Sequence, residues 1–106
     1  MDRVIDLILQ DLKKQLKDLY GERMSHMILY GSRARGDEDT GSDIDILVVL
    51  EGEISPSEEV TRTGGIVSRL SLLSNHVISC VFMDRDRFLH RNGPLLRNIR
   101  KEGITL

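Results

Sequence analysis

Residues Ile28–Leu50 read ILYGSRARGDEDTGSDIDILVVL. The order is an apolar strand, a Gly-Ser turn, a short basic segment, an acidic loop, and a second apolar strand opened by two aspartates. Asp43 and Asp45 are separated by one residue. Positions two apart in a strand project to the same face. Both carboxylates therefore leave one side of a sheet, and Ile44, Ile46 and Val48 face the other. Side by side, like charges raise each other's pKa. A divalent cation removes that cost, and hard cations prefer carboxylate oxygen. A bare Asp-x-Asp is often just two solvated acids at a strand start. Here Gly31-Ser32 precedes it by ten residues.

Gly31 ends a strand, where glycine lets the backbone turn sharply and approach a ligand closely. N–H groups at a following helix start form an anion site. Ser32 adds a hydroxyl donor, and Arg33 and Arg35 add positive charge. An anion-binding turn facing a cation-binding pair suits a nucleoside triphosphate with magnesium, which bridges phosphate oxygens in phosphoryl and nucleotidyl transfer. Competing motifs fail. No Gly-Lys-Ser/Thr ending marks a P-loop, and no Gly-x-Gly-x-x-Gly pattern is present. Read as an EF-hand from Asp37, the loop has Gly41 one position early and Val48 in the place of the bidentate glutamate.

Outward from this stretch, the chain has the makings of one domain. At 106 residues, 40% hydrophobic and 30% charged, it suits one modest core. The aromatics are only Tyr20, Tyr30, Phe82 and Phe88, so Leu, Ile and Val must fill that core. A net charge of −2 exerts no general pull on nucleic acid or membrane. The charge is uneven, however. Gly31–Glu59 holds nine acids and two arginines, whereas Asp84–Glu102 holds six basic residues and three acids. Cys80 is the lone cysteine and has no metal-ligand spacing around it, so a cytoplasmic location is expected. The N-terminus does not read as a signal peptide, and no apolar run is long enough to span a bilayer.

Periodicity supplies the elements. Ile5, Ile8, Leu9, Leu12, Leu16 and Leu19 form one stripe, predicting a helix over Asp2–Tyr20 with Asp2 as N-cap and Gly21 as stop. Met24–Tyr30 is a strand, and Ser32–Gly36 has room for one or two helical turns. Ile44–Leu50, apolar on both faces, reads as a central strand. Ser57–Asn75 reads as a second helix that buries Val60, Ile66, Val67, Leu70 and Leu73, interrupted by Gly64 and Gly65. His76–Met83 is a third strand, and Asp86–Asn92 a short helix. Pro94–Glu102 is a helix with Pro94 in its first turn and Gly103 at its end, burying Leu95, Leu96 and Ile99. The expected class is α/β (α+β), a small mixed sheet with helices in the order α-β-α-β-α-β-α, over a single domain of residues 1–106.

These residues resemble a known family. Gly31-Ser32, ten residues, then Asp43-Ile44-Asp45 is similar to the signature of the DNA polymerase beta-like nucleotidyltransferases. The string GSRARGDEDTGSDIDILV resembles the minimal nucleotidyltransferase (MNT) domain in particular, and the tail PLLRNIRKEGITL is similar to that group's ending. The resemblance extends over the whole chain. It implies that Gly31 and Ser32, with Arg33, Arg35 and Ser42, contact the triphosphate of ATP. It implies that Asp43 and Asp45 are catalytic and ligate two magnesium ions. Many MNT proteins are antitoxins paired with a HEPN-type toxin, and such antitoxins can transfer AMP to a toxin tyrosine. A hetero-oligomer with that partner is thus implied, without direct nucleic-acid contact. Full catalysts carry a third acid on a later strand. The matching strand, HVISCVFM, has none; Ser79 stands at the position, and Asp84 and Asp86 lie beyond it.

The remaining polar residues read as structural. His26, His76 and His90 lack ligand spacing, Arg91, Arg97 and Arg100 read as solvated helix residues, and Tyr30 reads as strand-end packing. Two function classes follow. One is a magnesium-dependent transferase of AMP to a hydroxyl of a protein toxin, favoured by Gly31-Ser32 and the intact aspartate pair. The other is an MNT domain, weak or inactive in catalysis, that neutralises a partner by contact, favoured by Ser79. Modification of a small molecule is a weaker third, since such enzymes usually append a second domain.

Overall fold

The structure, a computed structural model, describes residues 3–36 and 43–106. Helix α1 spans Arg3–Tyr20 and leads through a 3₁₀ turn, Gly21–Arg23, into β1, Met24–Tyr30. Strand β2 is Ile44–Leu50, helix α2 is Pro56–Ser74, and β3 is Ile78–Asp84. Two short helices follow, α3 at Arg85–His90 and α4 at Pro94–Glu102, and a two-residue strand, β4, closes the fold at Ile104–Thr105.

The sheet order is β3-β2-β1-β4. β1 runs antiparallel to β2 and to β4, and β2 runs parallel to β3. A parallel neighbour requires a crossover, which α2 supplies. The mixed sheet and its helices match the expected class, and β2 lies inside the sheet as its composition predicted.

The alternation along β2 divides the interior into two cores. Ile44, Ile46, Val48 and Leu50 face Ile5, Leu9, Leu12 and Leu16 of α1 and Leu70 of α2. Leu47 and Val49 face the other way, packing with Ile28 against Leu96 and Ile99 of α4. Ile44 and Ile46 through Leu50 are fully buried, and each such side chain contributes about 1.5–3 kcal/mol relative to exposure. α1 and α2 thus cover one face of the sheet. α4 covers only part of the other, leaving the end toward Tyr30 and Asp45 open.

Three buried stripes are displaced from their predicted phase. In α2, Val60 and Leu73 are exposed, while Glu59, Thr63, Leu70 and Ser74 are buried and Ile66 and Val67 pack at the edge of the core. The cause is a polar link. The Tyr20 hydroxyl donates to Glu59 Oε1 at 2.7 Å, which rotates α2 until Glu59 faces α1. Thr63 Oγ1 donates to the Glu59 carbonyl at 2.9 Å, so its hydroxyl is satisfied inside the helix. At the end of α1, Tyr20 is buried and Leu19 is exposed. In α4, Leu96 and Ile99 are buried while Leu95 is exposed, because the helix meets the sheet along one ridge.

Other boundaries differ less. Gly64 and Gly65 continue α2 without a break, and β3 begins two residues later than expected. Ser32–Gly36 closes turns rather than a helix. The expected N-cap Asp2 lies outside the described residues. β4 was not predicted. It reaches β1 because Gly103 has no side chain: a Cβ there would meet the Ile99 carbonyl, and Ile28 Cγ2 at 2.7 Å. Arg100, expected to be solvated, is exposed and also donates to Asn92 Oδ1 at 2.8 Å and to the Phe88 and Arg91 carbonyls at 2.7 and 2.9 Å. It thereby ties α4 to α3.

Candidate active site

The open end of the sheet brings Gly31 and Asp45 together. Gly31 follows β1 with φ +76°, a conformation that side chains disfavour. A Cβ added to it would lie 2.5 Å from Asp45 Oδ2 and 3.4 Å from Asp45 Cγ. The Asp45 carboxylate therefore occupies the space that glycine leaves. β1 and β2 fix this approach, since Tyr30 is the cross-strand partner of Asp45.

The chain then closes on itself. The Ala34 and Arg35 N–H groups donate to the Gly31 carbonyl at 3.1 and 3.2 Å, and the Gly36 N–H donates to the Arg33 carbonyl at 3.3 Å. Among the described residues the Ser32 and Arg33 N–H groups take no partner. Two such donors beside a hydroxyl are the chemistry that suits an anion. They belong to a turn, not to the helix start the sequence suggested.

The two arginines are anchored differently. Arg33 Nη2 lies 3.2 Å from His76 Nδ1, at the junction of α2 and β3. Its Nε is buried and has no partner among the described residues. Arg35 pairs with Glu102 at the end of α4, 3.0 Å away. His76 and Glu102 are thus site residues that the sequence reading passed over. They lie 43 and 67 residues from their partners, and no local pattern marks such pairs.

Asp43 is exposed just ahead of β2, and Asp45 is half-buried within it. Burial, and then the Asp43 charge, raise the Asp45 carboxyl above its ordinary range. Tyr30 is raised in turn by burial and by Asp45. The donor chemistry of the aspartate pair, and the repulsion that raises Asp45, suit a hard divalent cation. Ser42 lies outside the described residues.

On the other side of Asp45 the cross-strand partner is Ser79. Tyr30, Asp45 and Ser79 form a row on one face of three adjacent strands, spaced about 4.8 Å apart. A hydroxyl, not an acid, thus flanks Asp45. Asp84 pairs with Leu50 at the far end of β2 and caps α3, accepting from the Arg87 N–H at 2.7 Å. Asp86 pairs with His90 at 3.1 Å. Neither curls back to the row, and no cluster of three or more His, Cys, Asp or Glu side chains suited to a metal occurs among the described residues. A concavity of about 630 Å³ lies at that far end between Glu51–Glu53 and Asp84–Arg91. Within it Arg85 pairs with Glu51 and Arg87 with Asp84.

The family model of the nucleotidyltransferase domain matches residues 9–104. The chain belongs to this nucleotidyltransferase family. A Methanocaldococcus jannaschii protein provisionally named a protein adenylyltransferase is 35% identical over 72 residues, which is 68% of this chain and 72% of that protein. Two solved structures share the nucleotidyltransferase fold. One, a toxin–antitoxin with AMP-PNP, superposes with a TM-score of 0.63 at 16% identity, covering 91% of this chain and 70% of that one. The other, the tri-AMPylated Shewanella oneidensis HEPN toxin in complex with its MNT antitoxin, gives 0.52 at 15% identity, covering 92% and 70%. No helix among the described residues of this nucleotidyltransferase is long and apolar enough to cross a membrane.

Proposed function

We propose that this nucleotidyltransferase transfers AMP from magnesium-bound ATP to a tyrosine hydroxyl of a HEPN-type toxin, and so acts as its antitoxin. The observation that carries the reading is the Gly31–Asp45 corner, where turn N–H groups without a partner among the described residues lie beside Asp45, whose carboxyl is raised by burial and then by the Asp43 charge. The adenylyltransferase name of the archaeal relative and the AMPylated toxin of the structural relative support the choice of nucleotide and acceptor.

In this reading the Ser32 and Arg33 N–H groups and the Ser32 hydroxyl hold the triphosphate, with Arg33, Arg35 and Ser42 around it. Glu102 must yield Arg35 as the phosphates arrive. Asp43 and Asp45 would hold magnesium, which would supply charge neutralisation for the phosphates. The acceptor oxygen bonds to the α-phosphorus, the bond to the β-bridging oxygen breaks, and pyrophosphate leaves. The acceptor's proton passes to water. A phenol, with a pKa near 10, releases it far more readily than an aliphatic alcohol. Ser79 in the third-acid position therefore costs less when the acceptor is tyrosine.

Ser79 also favours a second reading, in which the domain binds and neutralises the partner without turnover. Incubation of the purified partner with labelled ATP and Mg²⁺ separates the two. Label on the partner that disappears with Asp43→Ala and Asp45→Ala supports transfer. Full neutralisation by both variants with no label would leave only the binding role.

A further inference from the structure

Strand β3 forms an open edge of the sheet. The Val77 carbonyl accepts from the Ile44 N–H at 2.8 Å, so alternation turns residues 79, 81 and 83 toward β2 as well. Residues 78, 80 and 82 turn outward. The Ile78 N–H agrees, since it donates sideways to Ser71 Oγ of α2 at 3.1 Å. The N–H and C=O groups of Cys80 and Phe82 then point off the sheet, with no strand beside them among the described residues. Exposed edges are normally guarded by charge, proline or a bulge. Ile78–Met83 reads ISCVFM, with no charge and no proline, and pairs with β2 in unbroken register.

α2 runs beside this edge. Val60, Gly64, Val67 and Ser68 line a groove of about 290 Å³ together with Cys80 and Phe82. That flank is uncharged; Glu58, Arg62 and Arg69 project from other sides of the helix by their spacing. Val60 and Val77, both exposed, continue the apolar surface.

We propose that the β3 edge is a two-fold contact between two copies of this chain, joining their sheets into one. Antiparallel self-pairing about Val81 sets Cys80 against Phe82 of the second copy, twice over, which matches the open main-chain groups. It also sets Val81 against Val81 and Ser79 against Met83, so no charge meets its like, as an isologous interface requires. The helices centre on the same axis. Ser71 lies over Ile78, and α2 runs back along β3 at about 1.5 Å per residue against about 3.3 Å per strand residue. The helix position above Val81 is therefore Gly64, where nothing projects to hold the two α2 helices apart. The strip is about 23 Å long by about 17 Å deep, so it buries about 800 Å² in total, below the size of tight dimers. An interface of this size points to a weak, concentration-dependent association. Met83 of the second copy would also wall the outer side of the Asp45 row beyond Ser79. The contact stands independently of the nucleotide reading.

Sedimentation equilibrium from about 5 to 500 μM, a span suited to weak association, tests it. The wild-type mass should rise from the 12.1 kDa of one chain toward twice that value. Gly64→Glu should remain at one chain mass throughout. A Cβ there meets nothing within 4 Å, so the single chain accepts the residue, and its melting temperature should hold or rise. Oxidised Val81→Cys on a Cys80→Ala background should cross-link as a symmetric pair. A wild type that stays at one chain mass overturns the proposal. So does a dimer that survives Gly64→Glu and resists the Val81→Cys cross-link. Protection of the Cys80 and Phe82 amides only when a toxin partner is added would give the edge to that partner, and would equally overturn it.

Discussion

Asp45 Oδ2 sits 2.5 Å from where a Cβ on residue 31 would stand, so the glycine and the carboxylate define one another's position. Gly31→Ala must therefore move Asp45 or the turn, in addition to straining a positive φ. The strain alone costs about 1 kcal/mol. We expect a lower melting temperature and at least a tenfold loss of AMP transfer. Asp45→Ala should lose activity without the strain. Wild-type activity in Gly31→Ala would show that the close approach is dispensable.

Asp45→Asn should stabilise the metal-free protein at neutral pH while removing activity. The carboxyl is raised in the folded state by burial and by Asp43. Its favourable contribution is complete below the unfolded value of about 3.9 and is lost as pH rises through the folded value. At pH 7 the ionised group is a net cost, and asparagine removes it. The gain should be at most about 1 kcal/mol, given the solvent around the group. Chemical denaturation at pH 7 measures it. Millimolar Mg²⁺ should stabilise the wild type and leave Asp45→Asn unchanged.

Tyr20→Phe removes the hydroxyl that donates to buried Glu59. A buried acceptor left without its donor costs about 1–3 kcal/mol. The remaining contact of Glu59, Arg62 at 3.6 Å, is too long to replace it. Urea unfolding should show the loss as a lower midpoint with an unchanged slope, and Tyr20→Phe combined with Glu59→Gln should lose less than the sum of the two.

His76 orients Arg33 from one side of its guanidinium. Losing one such hydrogen bond is worth about 1 kcal/mol, or about fivefold in an equilibrium constant. His76→Ala should raise the KM for ATP by roughly that factor and leave the stability nearly unchanged. His76→Gln, which keeps an acceptor, should recover part of the loss. Equal KM values in wild type and His76→Ala would mean that Arg33 does not meet the nucleotide.

The corner could be read from the chain because its parts are close in sequence and obey simple geometry. Alternation put Asp43 and Asp45 on one face, and a glycine at a strand end marked the turn. β2 was legible because Leu47 and Val49 are apolar as well as Ile46 and Val48, which only an inner strand needs. Periodicity gave α2 its spacing but not its phase. Val60 and Leu73 competed with Glu59, Thr63 and Ser74, and the Tyr20–Glu59 bond decided for the polar set. β4 rests on a two-residue strand and a glycine contact, too little for any pattern. The anchors of Arg33 and Arg35 come from distant elements and exist only once the sheet has formed.

The sheet order β3-β2-β1-β4 also assigns timescales. β2 is bonded on both sides, so its amides should exchange with solvent only on global unfolding. The Ser32 and Arg33 amides have no partner among the described residues and should exchange within the shortest labelling times. The Asp45 carboxylate therefore hangs from the slowest part of the molecule, and the Gly31–Gly36 turn belongs to the fastest. Cation affinity should then track global stability, whereas nucleotide exchange can proceed without opening the core.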